Sequence, residues 1–62
     1  MKAQAMIMSK ENKFEPYVLK NVIATHIIED SIMITYLSDD KSANRIQNGV
    51  YNLKDIQVTV TI

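Results

Sequence analysis

The chain has 62 residues and a mass of 7.1 kDa, and its seven basic residues balance seven acidic ones. This length fits a single domain, residues 1–62, and the charge balance gives no single-sign field for nucleic acid or an anionic membrane. The absence of cysteine excludes disulfide bonds, thiolate chemistry and cysteine-ligated zinc. No apolar run approaches the roughly 18 residues of a membrane-spanning helix, and the start lacks signal-peptide features, so a cytoplasmic location is expected.

The first predicted strand covers residues 3–8, and a polar connection follows it over residues 9–16. Residues 17–28 are rich in β-forming side chains, and apolar residues occur at both odd and even positions. A flat strand with one buried face would be apolar at alternate positions only. Residues 17–28 therefore predict a long, bent strand that serves both sheets of a small barrel. The alternative is a strand whose second apolar face is buried at a subunit contact.

Residues 17–28 and 32–37 predict a β-hairpin around residues 29–31. An even loop length sets one group of side chains on a common side: Ile23, Thr25, Ile27, Ile32, Ile34 and Tyr36. His26 and Met33 then lie on the opposite side. A three-residue loop would place the side chains of one of the two strands on the opposite face.

Residues 38–44 have turn composition throughout, and a short helix within 38–47 is a second interpretation. Asn48-Gly49, between residues 45–47 and 50–53, is the strongest short hairpin signal in the chain. The C-terminal segment gives the clearest strand signal, because its apolar residues alternate strictly with polar ones. We predict a strand over about residues 55–62 with Val58 and Val60 buried.

These elements predict an all-β chain with little or no helix, arranged as a small five-stranded barrel or meander of the SH3, Sm or OB type. The bent strand, the hairpin, the turn and the final segment together resemble the Sm-type barrel in outline. Val50-Tyr51 followed by Ile56 is similar to the second Sm motif, whereas the glycines of the first motif are missing. This resemblance implies an architecture and no activity.

Groups that could carry out catalysis are sparse. His26 is the single histidine, so one chain cannot build a multi-histidine metal site. The adjacent acids at 29–30 and 39–40 are expected to be solvated turn residues rather than ligands of a divalent ion. Gly49 is the single glycine, which excludes a phosphate-cradling loop. We therefore expect no enzyme activity, no catalytic or metal-binding residue, no cofactor and no room for a pocket of a few hundred Å³.

The expected function is binding. Apolar residues make up 47% of the chain, more than so short a chain can bury, which predicts a homo-oligomer, most simply a dimer. The candidate partner-binding residues are His26, Met33, Tyr36, Arg45, Tyr51, Met6 and Met8.

Two kinds of partner are expected besides the chain itself. Short cysteine-free β proteins of this composition resemble the accessory proteins of phages and other mobile elements, which implies a protein that blocks or sequesters a host factor or a small ligand. The alternative is an Sm- or OB-like protein for single-stranded nucleic acid, in which tyrosines interleaved with lysine and arginine stack on bases.

Overall fold

The computed structural model describes residues 3–38 and 45–62. Five strands form one antiparallel sheet, and the described residues contain no helix, so the all-β prediction is confirmed. The strands are β1 (Ala3–Ser9), β2 (Tyr17–Ile28), β3 (Ser31–Leu37), β4 (Ile46–Asn52) and β5 (Ile56–Thr61). The predicted turn and its helical alternative fall largely on residues 39–44, outside the described residues. None of the described residues forms a helix long and apolar enough to cross a membrane.

The strand order in the sheet is β4-β3-β2-β1-β5, so β4 and β5 are its two edges. Residues 53–55 are nevertheless the whole connection between these edges. In a flat sheet the edges would lie about 19 Å apart, four spacings of about 4.8 Å, whereas this connection reaches at most about 14 Å. The sheet must therefore curl. No ladder of backbone hydrogen bonds joins the described residues of β4 and β5, so the sheet is not closed.

Strand β2 is bent by two irregularities. One lies between Leu19 and Val22, where β2 pairs with β1, and the other lies between Val22 and Ala24, where β2 pairs with β3. Asn21, within the first, has a φ of 58°, a left-handed conformation that asparagine tolerates better than most residues. The first half of β2 pairs with β1 and the second half pairs with β3. The predicted long, bent strand is confirmed.

A two-residue turn at Glu29 and Asp30 joins β2 to β3, and Glu29 has a φ of 54°. Because the loop has an even number of residues, most side chains of β2 and β3 lie on the predicted side of the sheet. The observed cross-strand pairs include Thr25 with Ile34, Ile27 with Ile32, and His26 with Met33. The exception is Ile23, because the bulge places Val22 instead opposite Tyr36.

The predicted hairpin turn at Asn48-Gly49 is wrong. Both residues lie within β4, where Asn48 pairs with Thr35 and Gly49 pairs with Ile34. The Thr35 hydroxyl donates a hydrogen bond of 2.7 Å to the Asn48 side-chain oxygen. Gly49 does not have a left-handed φ, and a Cβ at this position would lie 2.9 Å from Cε2 of Tyr51. The glycine therefore serves the close approach of an aromatic ring and not a turn.

The core is small and is built between two halves of the curled sheet. Among the described residues four side chains are buried, namely Ala5 and Ile7 of β1 together with Ile32 and Ile34 of β3. Because β1 and β3 are not neighbours in the sheet, their contact requires one half to fold over the other. The partly buried residues that pack against this core are Leu19, Val22, Tyr36, Tyr51, Leu53, Ile56 and Val58.

The C-terminal strand is confirmed, but the burial of one of its residues is not as predicted. Val58 pairs with Ile7 and is half-buried, whereas Val60 is 44% exposed. Val60 lies opposite Ala5, whose methyl group covers little surface, and β5 is an edge strand with no further strand beside it. Strict alternation identifies the inward face of a strand, but it does not reveal where the core ends.

Candidate interaction surfaces

Formal charges are almost excluded from the sheet. Within the five described strands, Lys20 alone carries one, and the remaining charged residues of the described chain lie in the connections. A sheet face that contacts water usually alternates apolar with polar or charged residues, and exposed sheet edges usually carry lysine or proline. Apart from Lys20, both faces and both edges of this sheet lack charge.

We use the name outer apolar face for His26, Ile28, Met33 and Val50, on the side of β2, β3 and β4 that faces away from the core. Met33 pairs with His26 on one side and with Val50 on the other, so these three residues form a row across three strands. Ile28 flanks the row and is 56% exposed, and Val50 is 67% exposed. His26 is exposed and Met33 is half-buried. Two predicted binding residues, His26 and Met33, are thus brought together on an exposed and uncharged surface.

Met6 and Met8 lie on a different surface. Met6 is exposed on the outer side of β1, between Val18 of β2 and Thr59 of β5, and Met8 is half-buried further along the same strand. Met6 lies beside the first half of β2, whereas His26 and Ile28 lie in its second half, so this surface is separate from the outer apolar face.

We use the name aromatic row for Phe14, Tyr17, Tyr51 and Tyr36; the three tyrosines lie on the core-facing side of the sheet, and Phe14 lies in the connection before β2. The rings of Phe14 and Tyr17 are 5.8 Å apart, centroid to centroid, and tilted by 45°. The hydroxyl groups of Tyr17 and Tyr51 share a hydrogen bond of 3.2 Å. Partial burial raises the pKa of Tyr51 well above its ordinary value, and this hydrogen bond and the electrostatic influence of Tyr17 and Tyr36 raise it further. The Tyr51 phenol is therefore neutral at physiological pH.

An open groove of about 320 Å³ lies where β3 diverges from the bent part of β2. The expectation that the chain has no room for a pocket of this size is therefore wrong, because the bend of β2 opens the space. The residues that line it are Val18, Leu19, Lys20, Tyr36, Leu37 and Ser38. Among the described residues that line the groove, Lys20 and Tyr36 carry titratable side chains, and none carries a carboxylate or an imidazole.

Several basic side chains lie beside acidic or carbonyl oxygens. Lys54 is 3.4 Å from a carboxylate oxygen of Asp30, Lys13 is 3.3 Å from one of Glu11, and Lys10 donates a hydrogen bond of 2.7 Å to a backbone carbonyl. The charged connections therefore mix both signs. In the parts of the chain that the structure describes, no three histidine, aspartate or glutamate side chains come close enough to hold a metal ion.

The seven predicted binding residues do not form one site. His26 and Met33 share the outer apolar face, Tyr36 and Tyr51 share the aromatic row, and Met6 and Met8 share the outer side of β1. Arg45 is exposed just before β4, where its carbonyl accepts a hydrogen bond of 2.7 Å from the backbone of Ser38.

The prediction of binding residues omitted Ile28 and Val50, the most exposed apolar members of the outer apolar face. The false turn at Asn48-Gly49 hid Val50, because it divided one strand into two short arms. Reading residues 46–52 as a single strand would have placed Val50 opposite Met33. Comparison of the chain with protein-family models, with curated proteins and with solved structures finds no match.

Proposed function

We propose that the protein is a non-catalytic, homo-oligomeric binding module that works through its uncharged sheet surfaces. The observation that carries this proposal is the near absence of charge from the five described strands, together with the exposure of Ile28 and Val50. Depletion of charged residues is the compositional mark of the centre of an interface. Exposed apolar patches on small proteins mark interaction sites.

The exposed area supports the same proposal. The chain exposes 4832 Å², whereas a folded monomer of this mass is expected to expose about 4,100 Å². The excess of about 700 Å² is close to the ~800 Å² that each partner contributes to a standard interface. Because the core that the described residues form has four buried side chains, the chain gains stability from covering exposed apolar surface.

The finer architecture is also part of the proposal. The curled sheet is a small barrel of the SH3, Sm or OB type, whose edges approach each other without a complete ladder. The short connection between β4 and β5 supports this, as does the hydrogen bond between Tyr17 and Tyr51, which joins the two halves of the sheet. Backbone amide exchange tests it: slow exchange of amides at both edges supports closure, and fast exchange at both edges contradicts it.

In this proposal the oligomer acts in the cytoplasm by occupying a host protein or a small ligand, as in the phage accessory proteins that the chain resembles in type. The aromatic row provides a second surface for such a partner, since Phe14 and Tyr17 are exposed beside the half-buried Tyr51. Aromatic side chains supply large contact areas at a small cost in conformational entropy.

Sedimentation velocity from low micromolar to millimolar protein tests the homo-oligomer. We expect a species of at least twice 7.1 kDa and a melting temperature that rises with protein concentration, since association stabilises the folded state. A 7.1 kDa species throughout this range, with a melting temperature independent of concentration, would contradict the proposal.

A second candidate function, the binding of single-stranded nucleic acid, is favoured by the ring contact between Phe14 and Tyr17 and by the hydrogen bond between Tyr17 and Tyr51. Bases stack on such rings with little sequence preference. A gel shift with single-stranded RNA at several salt concentrations tests it. Binding that weakens with salt and is lost in Tyr17→Ala would support this function. No shift at low salt would remove it.

A further inference from the structure

We propose that a second copy of this chain covers the outer apolar face, packing its own outer apolar face against it around a two-fold axis. The inference rests on the proposed homo-oligomer and deepens it, because it names the surface and its occupant. The four residues concerned are His26, Ile28, Met33 and Val50.

The residue composition of this face is typical of a buried surface. The side chains that surround the row of His26, Met33 and Val50 are uncharged on all three strands. They are Ala24, Ser31, Thr35, Ile46, Asn48 and Asn52. A second exposed apolar surface, around Met6 and Val18, has the charge of Lys20 on its own strand, whereas the charges that follow Ile28, on Glu29 and Asp30, lie in the turn beyond the end of β2. The outer apolar face is therefore the less costly of the two to remove from water.

The occupant is inferred from charge and from area. A face without formal charge has no electrostatic feature that selects an oppositely charged partner, but it matches a second copy of itself. Two-fold contacts use the same patch on both subunits. The exposed surface of the whole chain exceeds that expected for a folded monomer of this mass by about 700 Å², and a standard two-fold interface covers ~800 Å² on each partner.

Packing of the two faces explains the exposed side chains better than pairing of the two β4 edges does. Edge pairing would extend the sheet and satisfy backbone groups of β4, but it would leave Ile28 of β2 exposed, two strands away from that edge. Face-to-face packing of sheets, about 10 Å apart, covers Ile28 and Val50 together.

A matched pair of variants tests the face. Ile28→Lys adds a charge to the outer apolar face, and Ile27→Lys adds the same charge one residue earlier on the opposite face. Both isoleucines are more than half exposed, Ile27 at 65% and Ile28 at 56%, so neither substitution places a charge in the core. We expect Ile28→Lys to raise the dimer dissociation constant by at least about 100-fold, because two unpaired charges enter the interface. Ile27→Lys should leave it within about 3-fold. Circular dichroism at each concentration confirms that both variants are folded.

Ile28→Lys and Val50→Lys together separate face packing from edge pairing. Face packing predicts that Val50→Lys and Ile28→Lys both dissociate the dimer. Edge pairing predicts that Ile28→Lys leaves the dimer intact, and that outcome would overturn the proposed face. If the wild type is an oligomer and neither variant dissociates it, the face is wrong and the homo-oligomer stands. If the wild type is a monomer throughout, the homo-oligomer itself is wrong.

Discussion

The two faces of the sheet around strand β3 have similar chemistry and different exposure. On the inner face, Ile32 and Ile34 are buried against β1. On the outer face, Met33 is half-buried and its neighbour Val50 is 67% exposed. Neither face carries a charge. The difference shows that one chain folds over itself far enough to cover the middle of the inner face, around Ile32 and Ile34. The outer face has the composition of a buried surface and is not covered by the chain itself.

The largest difference between the two faces is expected from a buried charge. Ile34→Asp places a carboxylate in a site with no exposed surface and should cost several kcal/mol, which is enough to unfold a domain of this size. Val50→Asp places the same group on the outer face and should leave each chain folded. Far-UV circular dichroism of both variants measures the contrast, and equal loss of structure would contradict the assignment of the faces.

A smaller effect is expected at Gly49. A Cβ there would lie 2.8 Å from the hydroxyl oxygen of Tyr51, so the ring must move and weaken its hydrogen bond to Tyr17. We expect Gly49→Ala to destabilise the protein by about 1–3 kcal/mol in urea unfolding, the range for overpacking.

The Tyr51→Ala background supplies the control for that substitution. With the ring removed, the same Gly49→Ala change should cost less, so the double variant should be more stable than additivity predicts. An additive result would show that the glycine does not serve the ring.

A charge near the end of β5, at the edge of the inner face, is expected to cause an intermediate loss of unfolding free energy. Because Val60 is 44% exposed, Val60→Asp should cost less than Ile34→Asp, on the order of 1–2 kcal/mol. Thr59→Asp, on the outer side of β5, should stay within about 0.5 kcal/mol of the wild type. Urea midpoints compare them, and a Val60→Asp variant as unstable as Ile34→Asp would mean that the core extends to the end of β5.

The smallest effect concerns pH. The pKa of Tyr51 is raised above 10 in the folded state, so the unfolded chain loses this proton first as the pH rises. The stabilisation is fully present below about pH 10 and declines above it. The fall in unfolding free energy between pH 9 and pH 11 should therefore be smaller in Tyr51→Phe than in the wild type. Equal falls in both proteins would remove Tyr51 as the cause.

The strands and most of their facing could be predicted from the sequence, since period-two alternation reports directly on side-chain direction. The flanking strands predicted the hairpin around residues 29–31, but turn chemistry did not locate the turns. Asn48-Gly49 has the strongest turn chemistry but lies within β4, because the glycine accommodates Tyr51 and the asparagine bonds to Thr35. Glu29 and Asp30 have weak turn chemistry but form the turn, since the register of β2 with β3 places them there. Long-range contacts decide both cases, and local composition does not contain them.

The candidate site was predictable in part for the same reason. His26 and Met33 could be assigned to one face from parity alone. Their union with Val50 depends on the pairing of β3 with β4, which the false turn obscured. The outer apolar face is exposed because the core is small. The size of the core depends on the whole fold, so no local sequence pattern predicts it.

The most direct test of the account is an isotope-filtered nuclear Overhauser measurement on a mixture of labelled and unlabelled protein at a concentration where the dimer dominates. The methyl groups of Ile28, Met33 and Val50 should show contacts between copies, whereas those of Ile27 and Met6 should show contacts only within their own chain. Contacts between copies that involve Met6 and spare Ile28, Met33 and Val50 would contradict the account.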